Sequence, residues 1–166
     1  MANNPALTLL MVATLKGFPF RWNVGEDELS IVSVGTGYSV FKKQIGEIEE
    51  AWMKTWAQNV PDMLMQDASW QNQIVLQWLS NSPTAHYIDM EIESLKDDYI
   101  GNKPLIKYLR YNFAITQNDL NGLGLGKTFT EKDVESLIEM SNAENRHLLY
   151  KIGVAASSSV KKSHFD

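Results

Sequence analysis

An α/β fold is what this sequence predicts, and three observations predict it. The stretch Leu29 to Gly37, LSIVSVGTG, is a short, continuous, β-branched apolar run that ends in Gly-x-Gly. Such a run reads as a strand buried on both faces, as in a parallel sheet. The stretch from Ala6 to Leu15 is apolar nearly all round at helical length, which marks a helix inside a larger body. A buried helix feeding a buried strand belongs to α/β architecture, not to a bundle or a sandwich. The third observation is size: 166 residues, 44% of them hydrophobic, suffice for one domain with its own core.

Each element follows in chain order. The first helix is predicted from Pro5 to about Lys16, with Asn4 as its cap, Pro5 in the first turn, Gly17 as the stop and Pro19 just beyond. The loop FPFRWNVGEDE is rich in turn residues and leads into the strand. At the strand's carboxyl end, Gly35 and Gly37 permit a sharp turn or a close approach, and in open α/β sheets ligands sit at that end. A helix from about Lys43 to Ala57 repeats Ile45, Ile48, Trp52 and Trp56 at helical spacing. Pro61 opens a second helical pattern to about Ser80, with Leu64, Ile74, Val75, Trp78 and Leu79 on its apolar side. HYIDMEIESL alternates Ile88, Met90 and Ile92 with acidic residues, the pattern of a half-buried strand or extended arm. PLIKYLRYNFAI suits another strand, with Leu109, Tyr111, Phe113 and Ile115 on one face. After a glycine-rich loop, Thr130 and Asp133 form a cap pattern for a helix whose buried stripe is Val134, Leu137 and Ile138. A last helix from about Ala143 carries Leu148, Leu149, Ile152 and Ala155, and residues 156–166 read as a flexible tail behind a domain of residues 1–155.

Composition removes several function classes. A net charge of −5 offers no basic footprint for nucleic acid. Zero cysteines exclude disulfides, thiolate metal sites and a Cys nucleophile, and are compatible with a cytoplasmic protein. The apolar run near Leu7 to Leu15 is too short to span a bilayer. His86, His147 and His164 are scattered without ligand spacing, so no metal site is expected. Gly126, Lys127 and Thr128 imitate the end of a phosphate-binding loop, but Asn121 stands where its first glycine belongs. Glu26, Asp27 and Glu28 read as a solvated turn. Ser30, Ser33 and Ser39 lie in or near the strand, yet no G-x-S-x-G elbow exists. Trp52, Trp56, Trp70 and Trp78 suit a helix–helix or core role; if exposed, they would make a membrane-facing patch.

Two segments taken together are distinctive. ANNPALTLL, Ala2 to Leu10, followed after a loop by LSIVSVGTG, resembles the patatin-like phospholipases, in which an N-N-P helix start follows a D-G-[GA] motif and the next strand ends in [ST]-x-G-T-G. The runs WAQNVPDMLMQDAS, LQWLSNSPTAHYIDMEI, YLRYN and LLYKIGVAAS are similar to bacterial members, so the resemblance covers most of the chain. It implies a lipid acyl hydrolase with a Ser–Asp dyad on a three-layer α/β/α fold, acting on a phospholipid or other acyl-ester lipid with transient membrane contact and without a cofactor. Preorganised N–H donors stabilise the oxyanion in such sites.

This chain lacks the G-x-S-x-G serine, the D-G-[GA] aspartate and the oxyanion loop. The resemblance therefore implies a partial fold: the C-terminal portion of the domain, missing its N-terminal half, with Met1 an internal methionine and no catalytic residue of its own. Asn3, Asn4, Gly35, Thr36 and Gly37 are the positions expected to support the site from behind. The isolated chain is expected to be inactive, with apolar surface left open near Leu7 to Leu15. The alternative is a stand-alone, non-enzymatic binding or regulatory module; nucleotide binding through Gly122 to Thr128 is the third reading.

Overall fold

The structure is a computed structural model that describes residues 4–39, 53–139 and 142–166, without the side chains of 53–59, 61 and 62. Among the described residues the helices are α1 (Ala6–Thr14), α2 (Met53–Leu79), α3 (Gln117–Gly122), α4 (Glu131–Ile138) and α5 (Arg146–Ala156). The strands are β1 (Ser30–Val34), β2 (Ser80–Asn81) and β3 (Ile106–Tyr111). They form one small parallel sheet in the order β1-β3-β2, with Ser80 opposite Ile106 and Asn81 opposite Lys107. The class is thus mixed α/β with a three-stranded parallel sheet and helices.

Two compact units divide the chain: Met1–Ser33 with Lys43–Arg110, and Val34–Lys42 with Tyr111–Asp166. The first is built on Ala6, Leu29, Ile31, Leu76, Ile106 and Tyr108, against which Leu7, Leu10 and Leu105 pack. The second is built on Ile115, Leu120, Phe129, Leu137 and Ile152, with Phe113, Leu123, Leu125, Val134, Leu148 and Leu149 around them.

The strand buried on both faces is β3, not β1. Along β1 exposure alternates: Ile31 and Ser33 are buried, whereas Val32 and Val34 are 48% and 74% exposed. β3 holds the middle of the sheet, so Ile106, Tyr108, Leu109 and Arg110 are all buried while Tyr111 is only partly so. Position in the sheet, rather than apolar content, decides which strand is covered on both sides.

The helix expected to begin at Pro61 does not begin there. α2 runs through that proline, and residues 43–52 of the helix expected before it lie outside the described residues. A proline removes one backbone bond from a helix, and twenty-seven residues of helix absorb that loss. The side of α2 turned inward is also not the predicted one. Gln73, Leu76 and Gln77 are buried, while Leu64, Trp70 and Trp78 are exposed. The side chains of Trp70 and Trp78 therefore do not form core; Trp52 and the side chain of Trp56 lie outside the described residues.

HYIDMEIESL is not a strand. The Asp89 carboxylate accepts from the backbone N–H of Glu91 and Ile92, and Glu93 and Leu95 take positive φ. An aspartate bonding its own backbone two residues on closes a turn instead of extending the chain. Met90 stands out at 84% exposed. The last residues also differ from a fraying tail: beyond α5 they form two short 3-10 turns, the Tyr111 hydroxyl lies 2.9 Å from His164 Nδ1, and Phe165 stacks on Tyr111.

The capping pattern at Thr130 forms as expected. Thr130 Oγ1 accepts from the Asp133 N–H and the Asp133 carboxylate accepts from the Thr130 N–H at 2.8 Å, so a shorter acid serves where glutamate is usual. α1 carries the predicted open surface: Leu9 and Met11 are exposed, as is Leu15 just past its end, and only Ala6 and Ala13 of the helix are buried.

Candidate functional site

In the first unit a buried polar cluster joins α1's entry to β1 and β3. Arg110 stands on β3 two residues after Tyr108, so both side chains leave the same face of the strand. The Arg110 Nη1 donates to Ser33 Oγ at 2.7 Å, and the Ser33 hydroxyl donates to Asn4 Oδ1 at 3.2 Å. Asn4 is fastened further by Asn72 Nδ2, which donates to its carbonyl at 3.0 Å. The backbone of Arg110 is held as well: its N–H donates to Thr84 Oγ1 at 2.8 Å, and its carbonyl lies 3.3 Å from His86 Nε2. This continues the edge of β3 past the short β2 with side-chain bonds.

Asn4 is consequently not the helix cap that sequence suggests. Pro5 occupies the cap position without a side-chain bond, and Asn4 adopts φ 57° with its carboxamide turned to Ser33. Asparagine is among the few residues that tolerate this conformation.

The charge state of the cluster is unusual. Arg110 is only 7% exposed, has no ion pair among the described residues, and its buried Nε finds no acceptor. Burial lowers its pKa from the ordinary arginine value. The Tyr108 hydroxyl is buried without a hydrogen bond of good geometry; burial raises its pKa, against the opposing pull of the nearby Asn4, Arg110 and Ser33. Buried polar groups are normally paired, and a lone guanidinium under cover costs several kcal/mol.

The glycine turn Gly35–Gly37 falls in the second unit and is built around Asn112. Asn112 Oδ1 accepts from the Gly37 N–H at 2.9 Å and from the Phe113 N–H at 3.2 Å. A Cβ on Gly35 would come within 2.3 Å of that oxygen, and Gly37 sits at φ 100° with Ile115 beneath it. Both glycines are thus required by packing of the chain on itself. Thr36 between them is exposed, and Asn3 lies outside the described residues.

The other candidates disperse. The glycine-rich loop follows α3, a helix rather than a strand, and Lys127 Nζ is tied to Asp133 at 2.8 Å; no phosphate cradle is built there. His86 is packed in the first unit, where burial pushes its pKa below 6.5. His147 is exposed beside Arg146, and His164 meets Tyr111. Glu26 receives Asn81 Nδ2 at 2.5 Å, a clasp between the acidic turn and β2. Among the described residues no three His, Asp or Glu side chains gather as metal ligands, and no helix is long and apolar enough to cross a membrane.

Sequence reasoning passed over Arg110, Tyr108 and Asn112. The available signal was a cation inside an apolar strand, YLRYNF, directly opposite in phase to the leucine taken as inward. No family model, no curated protein and no solved structure matches this chain.

Proposed function

We propose that the chain is the C-terminal part of a patatin-like lipid acyl hydrolase, on a three-layer α/β/α fold. Its substrate class is a phospholipid or other acyl-ester lipid. One observation carries the reading. The two segments of the resemblance, the Asn-Asn-Pro helix start and the strand ending Ser33-Val34-Gly35-Thr36-Gly37, are fastened to each other through Ser33 and Asn4 at 3.2 Å. A fold that held a catalytic loop just before the helix would need that joint to be rigid.

In this reading Asn4 and the strand end support the site, and the serine, aspartate and oxyanion donors come from a preceding segment. The exposed Leu9 and Met11 of α1, with Leu15 just past its end, are consistent with a helix that packs against such a segment. Purified 166-residue protein is expected to hydrolyse a p-nitrophenyl acyl ester no faster than a boiled control. Turnover above that control overturns the assignment of all catalytic groups elsewhere. Sequencing the DNA upstream of the Met1 codon tests the family directly: an in-frame G-x-S-x-G followed by D-G-[GA] is the expected result, and a stop codon without either motif overturns it.

A further inference from the structure

We propose that the loop after α1, residues 16–24, docks on an anionic lipid surface. The hydrolase reading assigns membrane contact to no residue, and this site does not depend on that reading: it is carried by exposed side chains of the first unit. Phe18, Phe20, Trp22 and Val24 fall within seven residues and are all exposed, Phe20 and Trp22 at 56% and 57%. Apolar side chains scattered singly over a surface need no explanation, whereas a contiguous set does. At the centre of this set the Phe20 and Trp22 rings meet edge to face, with centroids 6.0 Å apart.

The patch is preformed. The Trp22 N–H donates to the Ala13 carbonyl of α1 at 2.8 Å, and the Phe18 N–H donates to the Leu15 carbonyl at 3.1 Å. Between the two rings Arg21 takes φ 51°, a conformation uncommon for any residue but glycine. The loop thus shows its aromatic side chains to water while its backbone is tied to the helix. Little ordering remains to be done on docking, which removes one of the main costs of binding.

Charge and residue type select the occupant. No acid occurs among residues 1–25, which hold Lys16 and Arg21, in a chain of net charge −5. Both cations are exposed, and neither has an ion pair among the described residues. They alternate with the aromatics, Lys16 before Phe18 and Arg21 between Phe20 and Trp22. Phe and Trp settle at the boundary between headgroups and acyl chains, and long cationic stems reach from there to anionic headgroups. A two-fold contact between copies would instead set these cations against their own mates. Acids elsewhere in the chain do not forbid the approach, because charges more than about 8 Å away are largely screened at physiological salt. The nearest in sequence, the exposed Asp27 and Glu28, follow just after the loop and oppose docking.

The test is co-sedimentation of the full 166-residue protein with vesicles of dialkyl-ether phosphatidylcholine, with and without ether-linked phosphatidylserine as the minor component. Ether lipids have no acyl ester, so binding is read apart from hydrolysis. The protein is expected to bind the anionic vesicles about tenfold or more tightly than phosphatidylcholine alone, and less tightly as salt rises. Phe20→Ser with Trp22→Ser is expected to weaken binding about tenfold or more, with the amide spectrum unchanged outside the loop. Lys16→Gln with Arg21→Asn, asparagine being tolerant of φ 51°, is expected to erase the preference for phosphatidylserine. Asp27→Asn with Glu28→Gln is expected to tighten binding severalfold. The proposal is overturned if anionic vesicles leave the protein in solution, if phosphatidylcholine alone binds it as tightly, or if a folded Phe20→Ser, Trp22→Ser protein binds as the parent does. A dimer seen by sedimentation equilibrium without vesicles, and lost in that same variant, makes the patch a contact between copies and overturns it equally. Failure to bind vesicles together with the expected motifs upstream of Met1 removes the loop and leaves the hydrolase reading; binding without those motifs does the reverse.

Discussion

Replacing Gly35 with alanine tests the joint at the end of β1. The added Cβ would lie 2.3 Å from Asn112 Oδ1 and 2.4 Å from its Cγ. Gly35 cannot easily back away, because its N–H donates to the Tyr111 carbonyl at 2.8 Å. The carboxamide must therefore retreat, and it gives up its bonds from Gly37 and Phe113. Those two bonds are worth about 1 kcal/mol each, and overpacking adds about 1–3 kcal/mol. Loss of glycine's freedom in the unfolded chain returns about 0.4–1 kcal/mol. The net expectation is a loss of about 2–4 kcal/mol. Fluorescence is the wrong probe, since all five tryptophans lie between Trp22 and Trp78, in the first unit. Amide exchange at Tyr38 and Ile115, which bond across the same turn, reads the second unit directly. Their protection should fall about 30- to 700-fold, at one decade per 1.4 kcal/mol. The clash is the cause only if Asn112→Ala removes it: a Gly35→Ala cost that persists undiminished in that background refutes the reasoning.

Two further outcomes concern pH. The Asp133 carboxylate is held well below its ordinary 3.8 by the Lys127 ammonium and by the Thr130 N–H and hydroxyl. A folded-state pKa that is depressed adds stability above the ordinary carboxylate range, and that stability is lost as pH falls through and below it. Urea midpoints of the parent and Asp133→Asn should therefore differ by a constant amount near neutrality and converge in acid; a gap that widens in acid contradicts the sign. His86 shifts for the opposite physical reason, burial pushing it below 6.5. The unfolded chain then takes up the proton first, so stability is complete above 6.5 and declines as pH drops beneath it. His86→Gln should flatten that decline, and an unchanged slope would place its origin in another group.

What was legible in the sequence was whatever depends on local chemistry. Thr130 and Asp133 specify a helix start through bonds three residues apart, and the pattern survived the exchange of glutamate for aspartate. Gly35 and Gly37 specified a tight passage, although what they approach is Asn112, seventy-five residues on from Gly37. What was not legible depends on neighbours. β1 has the more apolar sequence, but β3 holds the central place and so the double burial. Asp89 looked like the solvated face of a strand because alternation ignores a carboxylate that can bond its own backbone. Of the candidate site, Asn4 was named for a cap and found holding Ser33, while Arg110 was missed because a cation in an apolar run is easily assigned to the open face.

The inward face of α2 shows why polarity patterns misled there, and it makes a prediction of its own. By pattern, a leucine would suit position 77 better than the glutamine that occupies it, which is 1% exposed. Yet Gln77 Oε1 accepts from the His86 N–H at 3.1 Å and from Gln73 Nε2 at 3.0 Å. Its Nε2 donates to the carbonyls of His86 at 3.0 Å and Ser94 at 2.8 Å. One side chain thus pairs three backbone groups of a segment that has no regular structure of its own. Gln77→Leu would gain apolar contact worth about 1.5–3 kcal/mol. It would also strand those groups and the Gln73 amide, at about 1–3 kcal/mol for each one kept from water. If three remain covered at about 2 kcal/mol each, the balance is a loss of about 3–4.5 kcal/mol, and exchange should quicken first at the His86 amide. A Gln77→Leu protein as stable as the parent would mean that water reaches the 86–94 segment, and that α2's polar inner face is not what holds it in place.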